Sequence, residues 1–121
     1  MRDHTKLRAF QLADELALEI YRVTADFPTS ERFGLASQLR RCGVSIASNI
    51  VEGCARKTQA EYARFIEVAF GSAKELQYEL SLVFRLGYLK RADSDPVSAL
   101  ADETAAVLAG LLKKMGMKQT A

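Results

Sequence analysis

The sequence contains no tryptophan and only one histidine in 121 residues. That histidine, His4, lies in the N-terminal tail, so a Ser-His-acid triad, a Cys-His pair or a di-iron Glu-x-x-His set cannot be built in a core. Phosphate-binding glycine loops are missing too, since glycines such as Gly34 and Gly110 stand alone within predicted helical segments. We therefore expect no enzyme, no cofactor, no metal ion and no small-molecule ligand.

Long hydrophobic runs are also missing from the sequence. Without such a run there is no membrane-spanning segment, and the N-terminus leads into an amphipathic segment instead of a signal peptide. These features predict a cytoplasmic protein with no membrane partner. Only two cysteines are present, Cys42 and Cys54. On one helix they would lie about 18 Å apart, too far for a disulfide, so we expect two small buried hydrophobic residues.

Charge of one sign is not in large excess. Seventeen basic residues against fifteen acidic ones leave a net charge of +2, well below that of a dedicated nucleic-acid binder. The scarcity of aromatic residues at predicted surface positions argues against a platform that stacks single-stranded bases. The length and a hydrophobic content of 49% suit one domain over residues 1–121.

What is present is a repeated helical pattern. Apolar residues spaced alternately three and four apart predict four amphipathic helices, at about 6–26, 30–52, 58–87 and 95–116. Thr58-x-x-Glu61 forms a capping box at the start of the third. Short connections force neighbouring helices to run antiparallel. We predict an all-α fold, an antiparallel up-down-up-down four-helix bundle without strands.

Glycine and proline positions refine this prediction. Gly53 and Gly87 are placed to end the second and third helices, and Pro96 suits the first position of the fourth. Gly43 and Gly71 lie inside helical segments, where a missing side chain favours close contact between helices.

The second predicted helix has an unusual outer face. Residues 42–51 are ten consecutive positions without charge, in a chain in which 26% of residues are charged. Serine, glycine and asparagine are poor helix formers that exposed positions do not favour. The pattern favours burial of this face against a second copy of the chain, because homo-oligomers are the commonest assemblies. A merely neutral surface is the alternative. The candidate interface residues are Gln38, Ser45, Ser48, Asn49 and Glu52.

Two like charges stand one turn apart on the third predicted helix. Glu75 and Glu79 repel each other at this spacing unless a nearby cation compensates their charge. In an antiparallel pair, Arg32 lies level with Glu79, and Arg40 lies within a turn of Glu75. We predict structural salt bridges there. A general acid and base made of the two glutamates is the alternative, but neither a cleft nor a cofactor motif supports it.

Conspicuous motifs follow one another in a definite order: Phe27-Pro28, Glu31-Arg32-Phe33-Gly34-Leu35, Gln38-Leu39-Arg40-Arg41, Ser45-Ile46-x-Ser48-Asn49-Ile50-x-Glu52-Gly53, Arg56 and Gly71-Ser72-x-x-Glu75-Leu76. This order resembles the four-helix-bundle family of bacterial proteins called the 23S rRNA intervening-sequence protein or S23 family. The similarity runs from about Leu7 to Met115. Cys42, Gly43 and Cys54 depart from the alanine, valine and serine expected in that family.

The resemblance implies a left-handed bundle that assembles into a homopentamer, in proteins whose genes often lie inside rRNA intervening sequences. A related accessory protein of diversity-generating retroelements is also a pentameric bundle, and it binds nucleic acid and a reverse transcriptase. No catalytic residue is implied. The positions that match the motif, and that are implied to be structural or interface residues, are Ser45, Asn49, Glu52, Arg56 and Glu75.

Two hypotheses of function remain open from the sequence. The first is an oligomeric scaffold that binds RNA or DNA through a ring surface. Its candidate contacts are Arg40, Arg41, Arg56, Lys57 and Arg64. The second is a protein-interaction adaptor without nucleic-acid affinity. The salt dependence of binding separates the two, because phosphate contacts weaken steeply as salt rises.

Overall fold

Four α-helices make up most of the computed structural model, which describes residues 2–116. They are α1 (Arg8–Thr24), α2 (Leu35–Cys54), α3 (Gln59–Arg85) and α4 (Arg91–Lys114). Short 3-10 turns at His4–Lys6 and Thr29–Glu31 precede α1 and α2. Helix α1 packs against α2 and α4, and α3 packs against the same two helices. This confirms the predicted all-α fold class, an up-down-up-down bundle.

The core is built from one buried stripe on each helix. On α3 the apolar positions spaced alternately three and four apart are all buried: Tyr62, Ile66, Ala69, Ala73, Leu76, Leu80 and Val83. On α1 most of the predicted stripe is buried, including Leu16 and Ile20, whereas Phe10 and Ala17 are half-buried. Leu12, outside that stripe, is buried as well, because α1 contacts both α2 and α4.

The ends of α3 agree with their sequence signals. The Thr58 hydroxyl oxygen accepts the Glu61 backbone N–H at 3.1 Å, and the same hydroxyl donates to the Glu61 carboxylate at 3.1 Å. At the other end, Gly87 has a φ of +82°, the left-handed conformation that glycine adopts without strain. The N-cap at Thr58 and the terminating glycine are therefore confirmed, whereas the Glu61 carboxylate bonds to the Thr58 hydroxyl and not to its backbone N–H as a full capping box would.

The starts of α2 and α4 differ from the prediction. Helix α2 begins at Leu35 and not near residue 30, because the Glu31 carboxylate, at the end of the 3-10 turn, accepts the Leu35 N–H at 3.1 Å. Helix α4 begins at Arg91, so Pro96 lies in its second turn. Proline lacks the N–H that would have bonded to the carbonyl oxygen of Ala92, which is an exposed residue.

Gly53 does not end α2, which continues to Cys54. It is buried, and a Cβ atom there would lie 2.9 Å from the Phe65 Cβ and 3.4 Å from the Tyr62 carbonyl oxygen. The glycine therefore permits the close crossing of α2 and α3.

The other two predicted contact glycines behave differently from each other. A Cβ atom at Gly43 would lie 3.5 Å from Ile20, which confirms a close contact with α1. At Gly71 such an atom would meet nothing within 4 Å among the described residues, so the predicted contact is wrong. Gly71 lies on an exposed part of α3.

Replacing Gly53 with alanine is expected to lower the free energy of unfolding by about 1–2 kcal/mol, because overpacking outweighs the gain in helix propensity. Gly110→Ala is the matched control, since a Cβ atom there meets nothing within 4 Å. It should raise stability by about 0.5–1 kcal/mol. Urea unfolding followed by circular dichroism measures both. Equal gains in the two variants would contradict the close crossing.

No helix in the range 2–116 is both long and apolar enough to cross a membrane.

Candidate functional site

The predicted interface residues of α2 divide into two kinds. Gln38, Ser48 and Glu52 are exposed, whereas Ser45 and Asn49 are half-buried. The Ser45 hydroxyl lies 3.0 Å from the Ser72 hydroxyl of α3, and the Asn49 amide donates to the Ser45 carbonyl oxygen at 2.8 Å. Ser45 and Asn49 therefore serve the contact inside the subunit. The surface open to another copy is centred on Ser48.

Apolar side chains surround Ser48. Val44 and Val51, one turn to either side on α2, are 45% and 36% exposed, and Val68 on α3 is 47% exposed. Val68 stands four residues before Ser72, so it lies on the side of α3 that faces α2. We call Val44, Ser48, Val51 and Val68 the neutral patch. Exposed apolar patches of this kind mark interaction surfaces.

The five candidate nucleic-acid contacts fall into separate groups. Arg40 and Arg41 lie in the first turns of α2, and Arg56 and Lys57 follow its C-terminus. The helix rises about 20 Å between Arg41 and Cys54, so the two groups lie at opposite ends of α2. Arg64 is exposed near the start of α3. One subunit therefore does not present the five as a single patch.

The group beyond the C-terminus of α2 is partly engaged inside the subunit. Arg56 pairs with Glu52 at 2.7 Å, and its guanidinium lies 4.8 Å from the centre of the Phe65 ring. Arg2 stacks on Tyr62 at 3.9 Å. Together with Lys57 these arginines border a shallow groove. Their own contacts reduce the charge left for an outside partner.

The group at the start of α2 combines arginines with exposed rings. Phe33 is 87% exposed and Tyr21 is 49% exposed, and both line a groove with Arg32, Arg40 and Arg41. We call these five residues the arginine–aromatic surface. Few aromatic rings of the described residues are exposed, as expected, but two of them meet at this groove. Phe33 is exposed because the late start of α2 leaves it in a turn, outside any helical stripe.

The predicted salt bridges of Arg32 with Glu79 and of Arg40 with Glu75 are wrong. Arg40 faces α1, where its Nε donates to the Thr24 hydroxyl at 2.9 Å and its guanidinium lies 4.7 Å from the centre of the Tyr21 ring. Arg32 lies in the turn before α2, over the ring of Phe33 at 5.3 Å.

Arg41, next to Arg40 in the sequence, is the cation whose charge affects Glu79, a buried glutamate of α3. Its charge counteracts part of the rise in the pKa of Glu79. A step of one residue turns the side chain by about 100° around the helix axis. The predicted register was off by more than a turn, because the Cys42–Glu75 pair sets Glu79 level with Gln38, six residues after Arg32. The predicted face was wrong as well.

A cluster of three side chains lies between α2 and α3. The Cys42 thiol donates to the Ser72 carbonyl oxygen at 3.0 Å, and its Sγ lies 3.7 Å from Glu75 Oε2. Glu79 is only 7% exposed, and its Oε1 has no hydrogen-bond partner within the described part of the chain. One sulfur or oxygen atom from each of Cys42, Glu75 and Glu79 lies within 4.8 Å of the others.

Burial and mutual repulsion shift the acidity of this cluster. Burial raises the pKa of the Cys42 thiol to about 12, and the charges of Glu79 and Glu75 add to the rise. Burial likewise raises the pKa of Glu79 to about 7, with a further contribution from Glu75. At neutral pH the cluster therefore holds a thiol and a carboxyl that is about half protonated.

The sequence matches the family model described as 23S rRNA-intervening sequence protein over residues 5–110. The chain belongs to this family. The match spans α1, α2 and α3 and most of α4. It confirms the resemblance that the motifs indicate.

A solved member of this group shares the fold. It is the crystal structure, at 1.70 Å resolution, of a protein with unknown function from the S23 ribosomal protein family of Bacteroides thetaiotaomicron VPI-5482. The TM-score is 0.78 at 24% identity, with 87% of this chain and 98% of that chain covered. At this identity the likeness shows the fold alone. None of the curated proteins matches the sequence.

For this family member, the Cys42 cluster is what reasoning from the sequence missed. Both cysteines are buried and free, as expected, but Cys42 is more than a hydrophobic filler. In the structure, the pairing that sets Ser45 opposite Ser72 also sets Cys42, three residues earlier, opposite Glu75, three residues later. The register predicted from the sequence sets Cys42 opposite Ala69 instead, so it gave no signal of this cluster.

Proposed function

We propose that this member of the 23S rRNA-intervening sequence protein family is a non-enzymatic, cytoplasmic, homo-oligomeric accessory protein that binds single-stranded RNA or DNA. The observation that supports it best is the arginine–aromatic surface. Arg32 and Arg41 offer charge to phosphates, and the Phe33 ring, 87% exposed, offers a face on which a base can stack.

Assembly multiplies the positive charge and the number of binding surfaces of the single chain. A net charge of +2 per chain is a weak attraction for a polyanion, but five copies carry five times that, +10, and five arginine–aromatic surfaces. Linked weak sites bind one long strand far more tightly than separate ones. The neutral patch around Ser48 offers the contact between copies, and the pentamer is the assembly that the family resemblance implies.

Binding to single-stranded oligonucleotides is expected to weaken steeply with salt, and fluorescence anisotropy at two salt concentrations measures this. The double variant Arg32→Gln/Arg41→Gln should lower the slope of log affinity against log salt by about 1.4, since each phosphate contact on a single strand contributes about 0.7. Phe33→Ala should weaken binding about tenfold by removing one stacked base, and should leave the salt slope unchanged.

The double variant Lys113→Gln/Lys114→Gln is the matched control. It removes the same charge from exposed positions at the end of α4, away from the arginine–aromatic surface. It should change affinity far less than Arg32→Gln/Arg41→Gln. Equal losses in the two double variants would mean that binding follows net charge and not this surface. RNA and DNA oligonucleotides of the same sequence distinguish the two ligands.

A protein-interaction adaptor is the second candidate, and exposed apolar side chains away from the neutral patch favour it. Leu18 on α1 is 68% exposed, Tyr78 on α3 is 60% exposed and Leu86 after α3 is 50% exposed. Side chains of this kind suit a protein partner. The nucleic-acid proposal would be overturned, and the adaptor left, if oligonucleotides do not bind at low salt or if their affinity does not change with salt.

A further inference from the structure

The Cys42 cluster has the ligand geometry of a small metal site. Cys42 comes from α2, and Glu75 and Glu79 come from successive turns of α3. In a tetrahedral zinc site a thiolate sulfur and a carboxylate oxygen lie about 3.6 Å apart. Cys42 Sγ and Glu75 Oε2 lie 3.7 Å apart, and one ligand atom from each residue fits within 4.8 Å. Small side-chain rotations would bring all three atoms to one ion.

Glu79 provides an independent sign that a ligand belongs here. It is 7% exposed, and its Oε1 is buried without a hydrogen-bond partner among the described residues. A buried polar atom left without a partner costs about 1–3 kcal/mol, and native structures contain few of them. The Glu79 carboxylate supplies one of the gathered ligand atoms, beside the Cys42 sulfur and Glu75. A bound cation would satisfy it.

The charge of the cluster suits a divalent ion. A thiolate and two carboxylates carry three negative charges. A divalent ion neutralises two of the three. Glu75 is exposed, so an ion can enter from solvent on that side.

We propose that Cys42, Glu75 and Glu79 form a binding site for a divalent transition-metal ion, Zn²⁺ by preference, that joins α2 to α3. The thiolate selects a borderline-soft ion over Mg²⁺ or Ca²⁺, which take six or more oxygen ligands. Three protein ligands leave the fourth tetrahedral position to water. As the Zn–S bond forms, the S–H bond breaks, its hydrogen bond to Ser72 is lost, and the proton passes to solvent. A proton on the Glu79 carboxyl also passes to solvent when that carboxylate binds the ion.

Co²⁺ is the spectroscopic probe for this site, used with the full-length, untagged and reduced protein. We expect one Co²⁺ per chain, with the absorption band of charge transfer from thiolate to metal, and displacement of Co²⁺ by Zn²⁺. Cys42→Ser should abolish the band. Cys54→Ser is the matched control, because Cys54 is equally buried and does not belong to the cluster; it should keep the band.

Isothermal titration with Zn²⁺ tests the carboxylates. Glu75→Gln alters an exposed side chain, so the fold is expected to survive, and circular dichroism checks this. Its Zn²⁺ affinity should fall at least about tenfold. Zn²⁺ binding should release about one proton more from the wild type than from Cys42→Ser, because only the wild type has the Cys42 thiol. A wild type without the charge-transfer band, or a Glu75→Gln affinity equal to that of the wild type, would overturn the metal site. Neither result bears on nucleic-acid binding.

Discussion

Replacing Ser48 with lysine is expected to convert the proposed assembly into monomers of 13.4 kDa. Ser48 is the centre of the neutral patch, and a lysine there would bring an unpaired ammonium group into every contact between copies. Burying such a charge without a partner costs several kcal/mol at each contact, which we expect to exceed the free energy that holds two copies together. Light scattering coupled to size exclusion measures the mass. The wild type should appear at five times the chain mass, about 67 kDa.

Ala106→Lys is the control for this experiment. Ala106 is exposed on α4, so it accepts the same charge away from the neutral patch. It should leave the mass of the assembly unchanged. If the wild type itself runs at 13.4 kDa, the outer face of α2 is a free surface and the oligomer proposal is wrong. If the Ser48→Lys assembly keeps the wild-type mass, the interface lies elsewhere.

The second large effect is a loss of stability as pH rises through the range in which Glu79 titrates. Burial raises the pKa of Glu79 from 4.5 to about 7 in the folded protein. Below pH 4.5 both folded and unfolded chains hold this proton, so Glu79 does not change the balance. Between pH 4.5 and about pH 7 the folded chain binds more protons than the unfolded chain, so the free energy of unfolding falls as pH rises. The loss reaches about 3 kcal/mol above pH 7.

Glu79→Gln should remove this loss, because an amide does not ionise. The difference in unfolding free energy between Glu79→Gln and the wild type should grow by about 3 kcal/mol from pH 4.5 to pH 8. Urea unfolding in the presence of a chelator measures it without bound metal. Glu67→Gln, which alters an exposed glutamate of the same helix, should differ from the wild type by less than about 0.5 kcal/mol throughout. Parallel curves for Glu79→Gln and the wild type would contradict a buried, repelled carboxyl.

Local signals were the most reliable guide to the fold. The apolar stripe of α3, the N-cap at Thr58 and the terminating Gly87 depend on residues within a few positions of one another. Where the prediction differed, a longer-range or competing interaction decided. The Glu31 carboxylate delays the start of α2, and Gly53, expected to end that helix, is instead required by its crossing with Phe65 on α3.

The candidate sites depended more strongly on the tertiary structure. The sequence placed Arg40 at the height of Glu75, yet Arg40 faces α1, and Arg41 is the residue that acts on Glu79. The outer face of α2 was identified from its missing charge, but which of its serines remains accessible was not. Ser45 bonds to Ser72 and Ser48 stays exposed because of how α2 is rotated against α3.

The sequence by itself determined that the chain forms a four-helix bundle of a known family, and that α2 has a face without charge. Helical periodicity and capping are properties of short segments, so they can be read in one dimension. Only the tertiary structure decided that Cys42 meets Glu75 and Glu79, and that Phe33 stands exposed among arginines. The physical reason is that one residue turns a side chain by about 100°, and only packing between helices sets that rotation.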